Sequence, residues 1–451
     1  MEEFLKLDGT KILKKDKEIR LRGVNFGNWL LIEHFMIGLP WVEYKMREQF
    51  RKILGEKKYE IFFKTYLDNY ITEDDFKFLS SSNFNLIRLP INYRHFEDDD
   101  KPGVYKKEIF YYIDKVIELC KKYNIYLIID LHAVPGCQAP DWNAESAYGE
   151  AFFWKNIQFR ERVINLWKFI ANYYSKESAI MGYEIINEPV LEDDEIDILN
   201  NFYLRTIEEI RKVDKNHIII LDSNLWATDI KSLKDELFKD PNVMPTFHHY
   251  HSHDFPFNIM KKYPGFYKGK FYGKEELVNC IKSKYDTERI NRPHLAGEFG
   301  MHYDISNEPK YKMLNDIVQF FEEKKFPWTI WTYKDKGSMG FICPSDNTLW
   351  KKFLNNPEIK TIREKALKLR IKFGKKMKKT FKHLLSEEII EKKFIREVMR
   401  DWHRLELDLI LNKLKEYDED SLYEMALSFN FKNCKINMEA YNILTKNIKE
   451  K

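Results

Sequence analysis

Two glutamates occupy the same kind of position. Glu188 lies in EIINEP and Glu298 in HLAGEFG, each at or just past the end of a short apolar run of strand length. Two carboxylates facing each other across a cleft can divide the cleavage of an acetal: one protonates the leaving oxygen, and the other attacks or stabilises the oxocarbenium-like carbon. The division needs unlike surroundings. Desolvation or a nearby negative charge must keep the acid protonated, while hydrogen-bond donors keep the nucleophile ionised. Arg88 and Tyr250 are candidate donors to Glu298. Asn25, Asp130, His132, Asn187 and His248 also stand at the ends of apolar runs, and Trp331 offers an aromatic face suited to the C–H face of a pyranose. Each has an ordinary reading by itself: a lone Glu as an ion-pair partner, His132 as a satisfied core histidine, Trp331 as core, Asp130 as structural. Their joint occurrence points to a site.

The elements that must position them are legible as alternation. Strand-like runs cover Leu21–Asn25, Leu86–Pro90, Ile125–Leu131, Ile180–Ile186, His217–Leu221, Val243–His249, His294–Glu298 and Pro327–Thr332. Between them, apolar residues recur at helical spacing over Ile109–Tyr123, Phe159–Tyr174, Ile196–Val213 and Tyr311–Lys324, and Thr72 with Glu73, Asp74 and Asp75 reads as a capped helix start. Runs such as IYLIID and HIIIL are continuous, as in parallel strands buried on both faces. Eight βα units of this kind predict a closed (β/α)8 TIM barrel, preceded by a β-hairpin turning at Asp8-Gly9. An open doubly wound sheet would want a GxGxxG turn after its first strand, and GVNFGNW lacks one. A parallel barrel works at the carboxyl ends of its strands, where the polar residues above fall, and Glu188 and Glu298 should face each other across that mouth.

The histidines of HHYHSH raise a different chemistry. On a strand His249, His251 and His253 share one face and His248 and Tyr250 the other, and no carboxylate has ligand spacing to them, so no metal is expected.

Composition excludes several classes. The 451 residues are 44% hydrophobic and 15% aromatic, enough for a large core, and a net charge of +4 argues against a nucleic-acid binder. No apolar run approaches a membrane span. The five widely spaced cysteines and the acidic start MEEFLKLDGTKIL, without a signal-type apolar region, suggest a cytoplasmic protein, or a secreted one if a leader was removed. Charge is uneven along the chain. Lys360–Lys451 carries 23 basic and 15 acidic residues, and Ile389–Leu414 reads as an amphipathic helix with Ile390, Phe394, Ile395, Val398, Trp402, Leu405, Leu409 and Leu414 on one face. The division expected is a catalytic barrel over 1–370 and a basic helical extension over 371–451. The extension reads as packing on the barrel with a solvated basic face, or as a contact for a polyanion or membrane surface.

The motifs NLIRLPINY, LIIDLHAVPG, GYEIINEP, FHHY, LAGEFG and WTIWTYKD, in this order over roughly residues 20–335, resemble glycoside hydrolase family 5. The resemblance implies retention, with Glu188 as acid/base, Glu298 as nucleophile, and Arg88, His132, Asn187, His248, Tyr250 and Trp331 gripping the sugar being cleaved. GVNFGNWLLIEHFM and DLHAVPGCQAPDWN are most similar to the exo-β-1,3-glucanase branch, which implies that Glu33 and Asn143, with Trp29 nearby, bind the non-reducing end. The loop Ala139-Pro140-Asp141-Trp142 departs from that branch. The expected substrate is a β-glucan-type oligo- or polysaccharide, with β-mannosidase, mannanase or endo-β-1,4-glucanase activity as alternatives within the family and a non-catalytic carbohydrate-binding barrel as the alternative outside it. The sequence is silent on oligomeric state. Retention predicts carboxyl groups about 5 to 5.5 Å apart, inversion a spacing nearer 9 Å. No cofactor or metal is implied, so hydrolysis of an aryl β-glycoside should be undiminished by a strong chelator; a loss reversed by a divalent cation would contradict this.

Overall fold

The computed structural model describes residues 3–250, 262–303, 308–381 and 395–449. Eight parallel strands form a closed barrel: β1 (Arg22–Asn25), β2 (Leu86–Asn92), β3 (Tyr126–Ala133), β4 (Ile180–Glu184), β5 (Ile218–Asp222), β6 (Val243–His249), β7 (Leu295–Phe299) and β8 (Trp328–Ile330). Each strand pairs with the next in sequence and β8 returns to β1, so the expected (β/α)8 barrel is present. Helices Glu108–Tyr123, Ile157–Tyr174, Ile196–Val213 and Glu308–Glu323 lie where the apolar spacing places them. Thr72 caps Glu73–Ser81, with Asp75 Oδ2 accepting from its backbone N–H at 2.7 Å and its hydroxyl at 2.9 Å.

Register sets the mouth. Asn25 pairs with Arg88, Asp130 with Glu184, and His248 with Glu298. The pairing of β7 with β6 shifts between Ala296 and Glu298, and the residue skipped is Gly297. A Cβ there would stand 2.5 Å from Thr246 Oγ1 and 3.1 Å from His248 Nε2, so only glycine lets the two strands approach at the level of the site.

The opposite end of the barrel is plugged. The expected hairpin is a three-stranded meander, Lys6–Asp8, Lys11–Lys14 and Lys17–Glu18. Its Leu5 and Ile12 join the strand-start residues Leu21, Leu86, Met181 and Leu295 in one buried cluster.

The C-terminal residues are built into the same core. Helix Pro357–Phe381 runs across residue 370, and Cys434–Ile436 pairs antiparallel with Ile342–Pro344, the strand that follows β8. Leu407, Ile410, Leu411, Leu414, Leu422, Met425 and Leu444 belong to the cluster that surrounds the barrel. This corrects the expected face of Ile395–Leu414: Leu405 and Leu409 are 48% and 54% exposed. The helix packs on Glu43–Leu54, and its buried positions 407, 410, 411 and 414 form a narrower stripe rotated from the one read off its leucines. Ile390 and Phe394 lie outside the described residues. Deeper still, the ammonium of Lys334, fully buried, pairs with Asp75 at 2.7 Å and donates to the carbonyls of Tyr70 at 2.6 Å and Phe429 at 3.1 Å. One lysine thereby ties the barrel to the extension. Lys334→Ala leaves Asp75 buried without its partner and should cost about 3–5 kcal/mol in urea unfolding; a change under about 1 kcal/mol would show that this tie is dispensable.

Candidate active site

Arg88, wholly buried on β2, organises the mouth. Its Nε and Nη2 donate to Glu184 at 2.8 and 2.7 Å, Nη1 to Asn25 Oδ1 at 3.0 Å and Glu298 Oε1 at 2.6 Å, and Nη2 also to Asn187 Oδ1 at 2.8 Å. Every nitrogen of the planar fork is engaged, which a point-charge lysine could not reproduce.

Glu298, on β7, accepts from Tyr250 at its other oxygen, at 2.7 Å. Glu188 sits just past β4 with φ of 47°, a left-handed conformation that costs a non-glycine residue on the order of 1–3 kcal/mol. Asp222, at the end of β5, receives the Glu188 backbone N–H at 2.8 Å and holds that turn. The Glu188 carboxyl shares a 2.8 Å hydrogen bond with His248 Nδ1 and accepts from Asn143 at 2.5 Å. One oxygen of Glu188, one of Glu298 and a ring nitrogen of His248 all lie within 4.8 Å of one another. Both carboxyl groups are buried.

Burial, reinforced by Asp141 and Asp130 and opposed by Arg88, pushes Glu188 up to about 8. Burial also raises Asp130 and Asp222 far above the usual range, whereas at Glu184 the Arg88 guanidinium overrides burial and holds the carboxyl low. Arg88 also stands 3.0 Å from Asp130, so contact with the guanidinium does not by itself keep a buried carboxyl low. Burial takes His132 down to about 3. That neutral ring holds Asp130 at 2.7 Å through Nδ1 and stacks on Trp331, 5.3 Å between centroids and 18° between planes. Trp331 is only 2% exposed, so little of its face reaches solvent.

Of the residues expected at the mouth, all but Trp29 are there. Asn187 keeps its Nδ2 buried without a partner, a donor free for a ligand hydroxyl. Glu33 accepts from Trp142 Nε1 at 3.0 Å, and burial with the charges of Glu298 and Glu188 raises it well above an ordinary carboxyl. Asn143 meets Glu188 rather than Glu33. Trp29 lies apart, buried with its indole N–H on the Leu67 carbonyl at 2.9 Å. His248 and Tyr250 face the carboxylates while His249 turns outward to Tyr285 at 3.0 Å; His251 and His253 lie outside the described residues. Glu188, His248 and Glu298 converge closely enough to ligate a cation, but Arg88 and Tyr250 already take both Glu298 oxygens, and the guanidinium repels a second cation. Glu184, Asp222 and Gln138 escape a motif reading. Gln138 bridges the carbonyls of His132 and Asn187 at 2.7 and 2.8 Å; the signal for Glu184 and Asp222 was an acid inside or ending a buried strand.

A closed parallel barrel with paired buried carboxylates at its mouth is the architecture of a sugar-cleaving enzyme. The chain belongs to glycosyl hydrolase family 5, the cellulase family, whose model matches residues 48–337, and it is a glycoside hydrolase. It is 35% identical over 361 residues to a beta-xylosidase of Phanerodontia chrysosporium, covering 76% of this chain and 74% of that one. It is 27% identical over 311 residues to Endoglucanase C of Acetivibrio thermocellus (61% and 88%) and 23% identical over 362 residues to a probable glucan 1,3-beta-glucosidase A of Aspergillus clavatus (71% and 84%). Endoglucanase Cel5A of Thermotoga maritima shares the fold, with a TM-score of 0.50 at 20% identity, covering 69% of this chain and 89% of that one.

The Glu188 carboxyl should titrate near pH 8 by carbon NMR of labelled protein. Asn143→Ala removes a bond to the ionised form and should move the midpoint up; Asp141→Asn removes a like charge and should move it down, each by about half a unit to one unit. A midpoint near 4 would contradict the geometry.

Proposed function

We propose that the chain is a retaining, exo-acting β-glycosidase of β-glucan-derived oligosaccharides. The observation that carries this is the Glu188–Glu298 pair, whose nearest oxygens lie within 4.8 Å, the range of double displacement and short of the roughly 6.5–9.5 Å that admits an inverting water. Glu188, protonated at neutral pH, gives its proton to the leaving oxygen as Glu298 attacks the anomeric carbon and the glycosidic bond breaks. Water then adds to that carbon, losing a proton to Glu188 and releasing Glu298. Asn187 Nδ2 is placed for the 2-hydroxyl, and Arg88 and Tyr250 hold the nucleophile at both oxygens.

Loop closure supports removal of one terminal sugar. Trp142 bonds Glu33, Asn143 bonds Glu188, and Trp226 donates to Asp141 at 3.0 Å, so the segment after β3 is tied to those after β1, β4 and β5 beside the carboxyl pair, which favours a site closed on that side. A xylosyl glycone is the second reading, favoured by the beta-xylosidase at 35% identity.

Proton NMR of early hydrolysis should show the β-anomer first; the α-anomer first would exclude retention. Glu298→Ala should lower kcat on an aryl β-glucoside by about 10⁴-fold or more, whereas Glu188→Ala should slow poor leaving groups far more than activated ones. Near-normal activity of both would overturn the assignment. Trimming of single sugars from β-1,3- and β-1,4-linked oligosaccharides, compared between aryl glucoside, xyloside and mannoside, distinguishes the glycone readings.

A further inference from the structure

A groove of about 650 Å³ lies on the outside of the barrel, between the helices Glu56–Tyr70 and Glu108–Tyr123, and no residue of the catalytic mouth lines it. Its lining is phenolic, with Tyr59, Tyr111 and Tyr112 beside Phe63 and Leu67. Tyr111 is 63% exposed. Trp29, expected at the mouth, backs this groove instead: Tyr112 meets its ring edge-on at 5.9 Å, and its indole N–H holds the carbonyl of Leu67. The helix Glu108–Tyr123 borders further exposed rings, since Phe169 and Tyr173 pack on Phe110 at 5.7 and 4.6 Å.

The cations of the lining are spent. Arg47 pairs with Glu43 at 2.7 Å and lies 4.1 Å over the Phe63 ring, and Lys64 pairs with Asp68 at 2.9 Å. Asp68 also accepts from the Tyr112 hydroxyl at 2.8 Å. The two remaining acids, Glu60 and Glu108, are exposed and make no ion pair within 4.0 Å among the described residues.

An exposed aromatic surface of this extent marks a binding face. Lipid headgroups or nucleic acid would want open cations, whereas the open groups here are acceptors. Phenol rings beside carboxylates suit a polyhydroxylated ring, which offers C–H faces for stacking and hydroxyl donors for the acids. We propose that this groove is a second glycan site, holding a β-linked chain outside the catalytic mouth. The ligand class rests on the glycosidase reading above; the position of the site does not.

Affinity electrophoresis of the full chain through gels containing a soluble β-1,3-glucan, a mixed-linkage β-glucan or xylan tests this. Retardation by at least one polymer is expected. Tyr111→Ala should raise the apparent Kd at least about tenfold while kcat/KM for an aryl glycoside stays within about twofold, and Glu108→Lys should also weaken retention. No retardation by any of the three polymers would overturn the proposal. So would retardation unchanged in both variants, which would put the polymer at the mouth, or self-association in sedimentation that Tyr111→Ala abolishes, which would assign the face to a second copy. Retention by this groove without hydrolysis of any glycoside would sink the catalytic reading and leave this site standing, and hydrolysis without retention would do the reverse.

Discussion

The guanidinium of Arg88 is the constraint on which the mouth depends. A charge fully removed from water is tolerated only where each N–H finds a partner and opposite charge is close. Here the partners come from β1, β4, the turn after β4 and β7, so satisfying one side chain fixes the relative placement of four segments around the ring. Glu298 and Asn187 are held by the same group, and their separation is as rigid as the guanidinium itself.

That choice of partners also distributes protons. Several carboxyl groups are buried around one permanent cation, and they cannot all ionise. Arg88 grips Asp130, Glu184 and Glu298 directly; Glu188 instead meets His248 and Asn143. Glu188 and Glu298 therefore differ in that the guanidinium reaches only one of them. The difference is a property of the whole layer, including Asp130, which holds His132, and Asp222, which holds the Glu188 turn.

The C-terminal residues complete the barrel domain. Lys334, in the loop just after β8, donates to the Phe429 carbonyl, and the strand after β8 finds its edge partner in Cys434–Ile436. The extension, expected to pack on the barrel with a solvated basic face, supplies core side chains and a hydrogen-bond acceptor for Lys334.

Alternation of apolar runs with helical periodicity was enough to predict eight strands and their order, because strands buried on both faces must be apolar throughout and a closed parallel barrel leaves little topological choice. Motif positions placed Arg88, Glu188, His248, Tyr250 and Glu298 at strand ends for the same reason. Glu184 and Asp222 were hidden, since a supporting acid inside a strand looks in sequence like any polar interruption, and Gln138 because it lies in the loop after β3 and reaches the site only through backbone carbonyls. The packed face of Ile395–Leu414 was misread because periodicity identifies that a helix has an apolar side but not which neighbour covers it. What the sequence by itself determined, then, was the barrel and the cast of its mouth. Only the tertiary structure decided the proton affinity of Glu188, the spacing of the carboxyl groups and the face on which the extension packs, since burial and long-range charge depend on residues hundreds of positions apart.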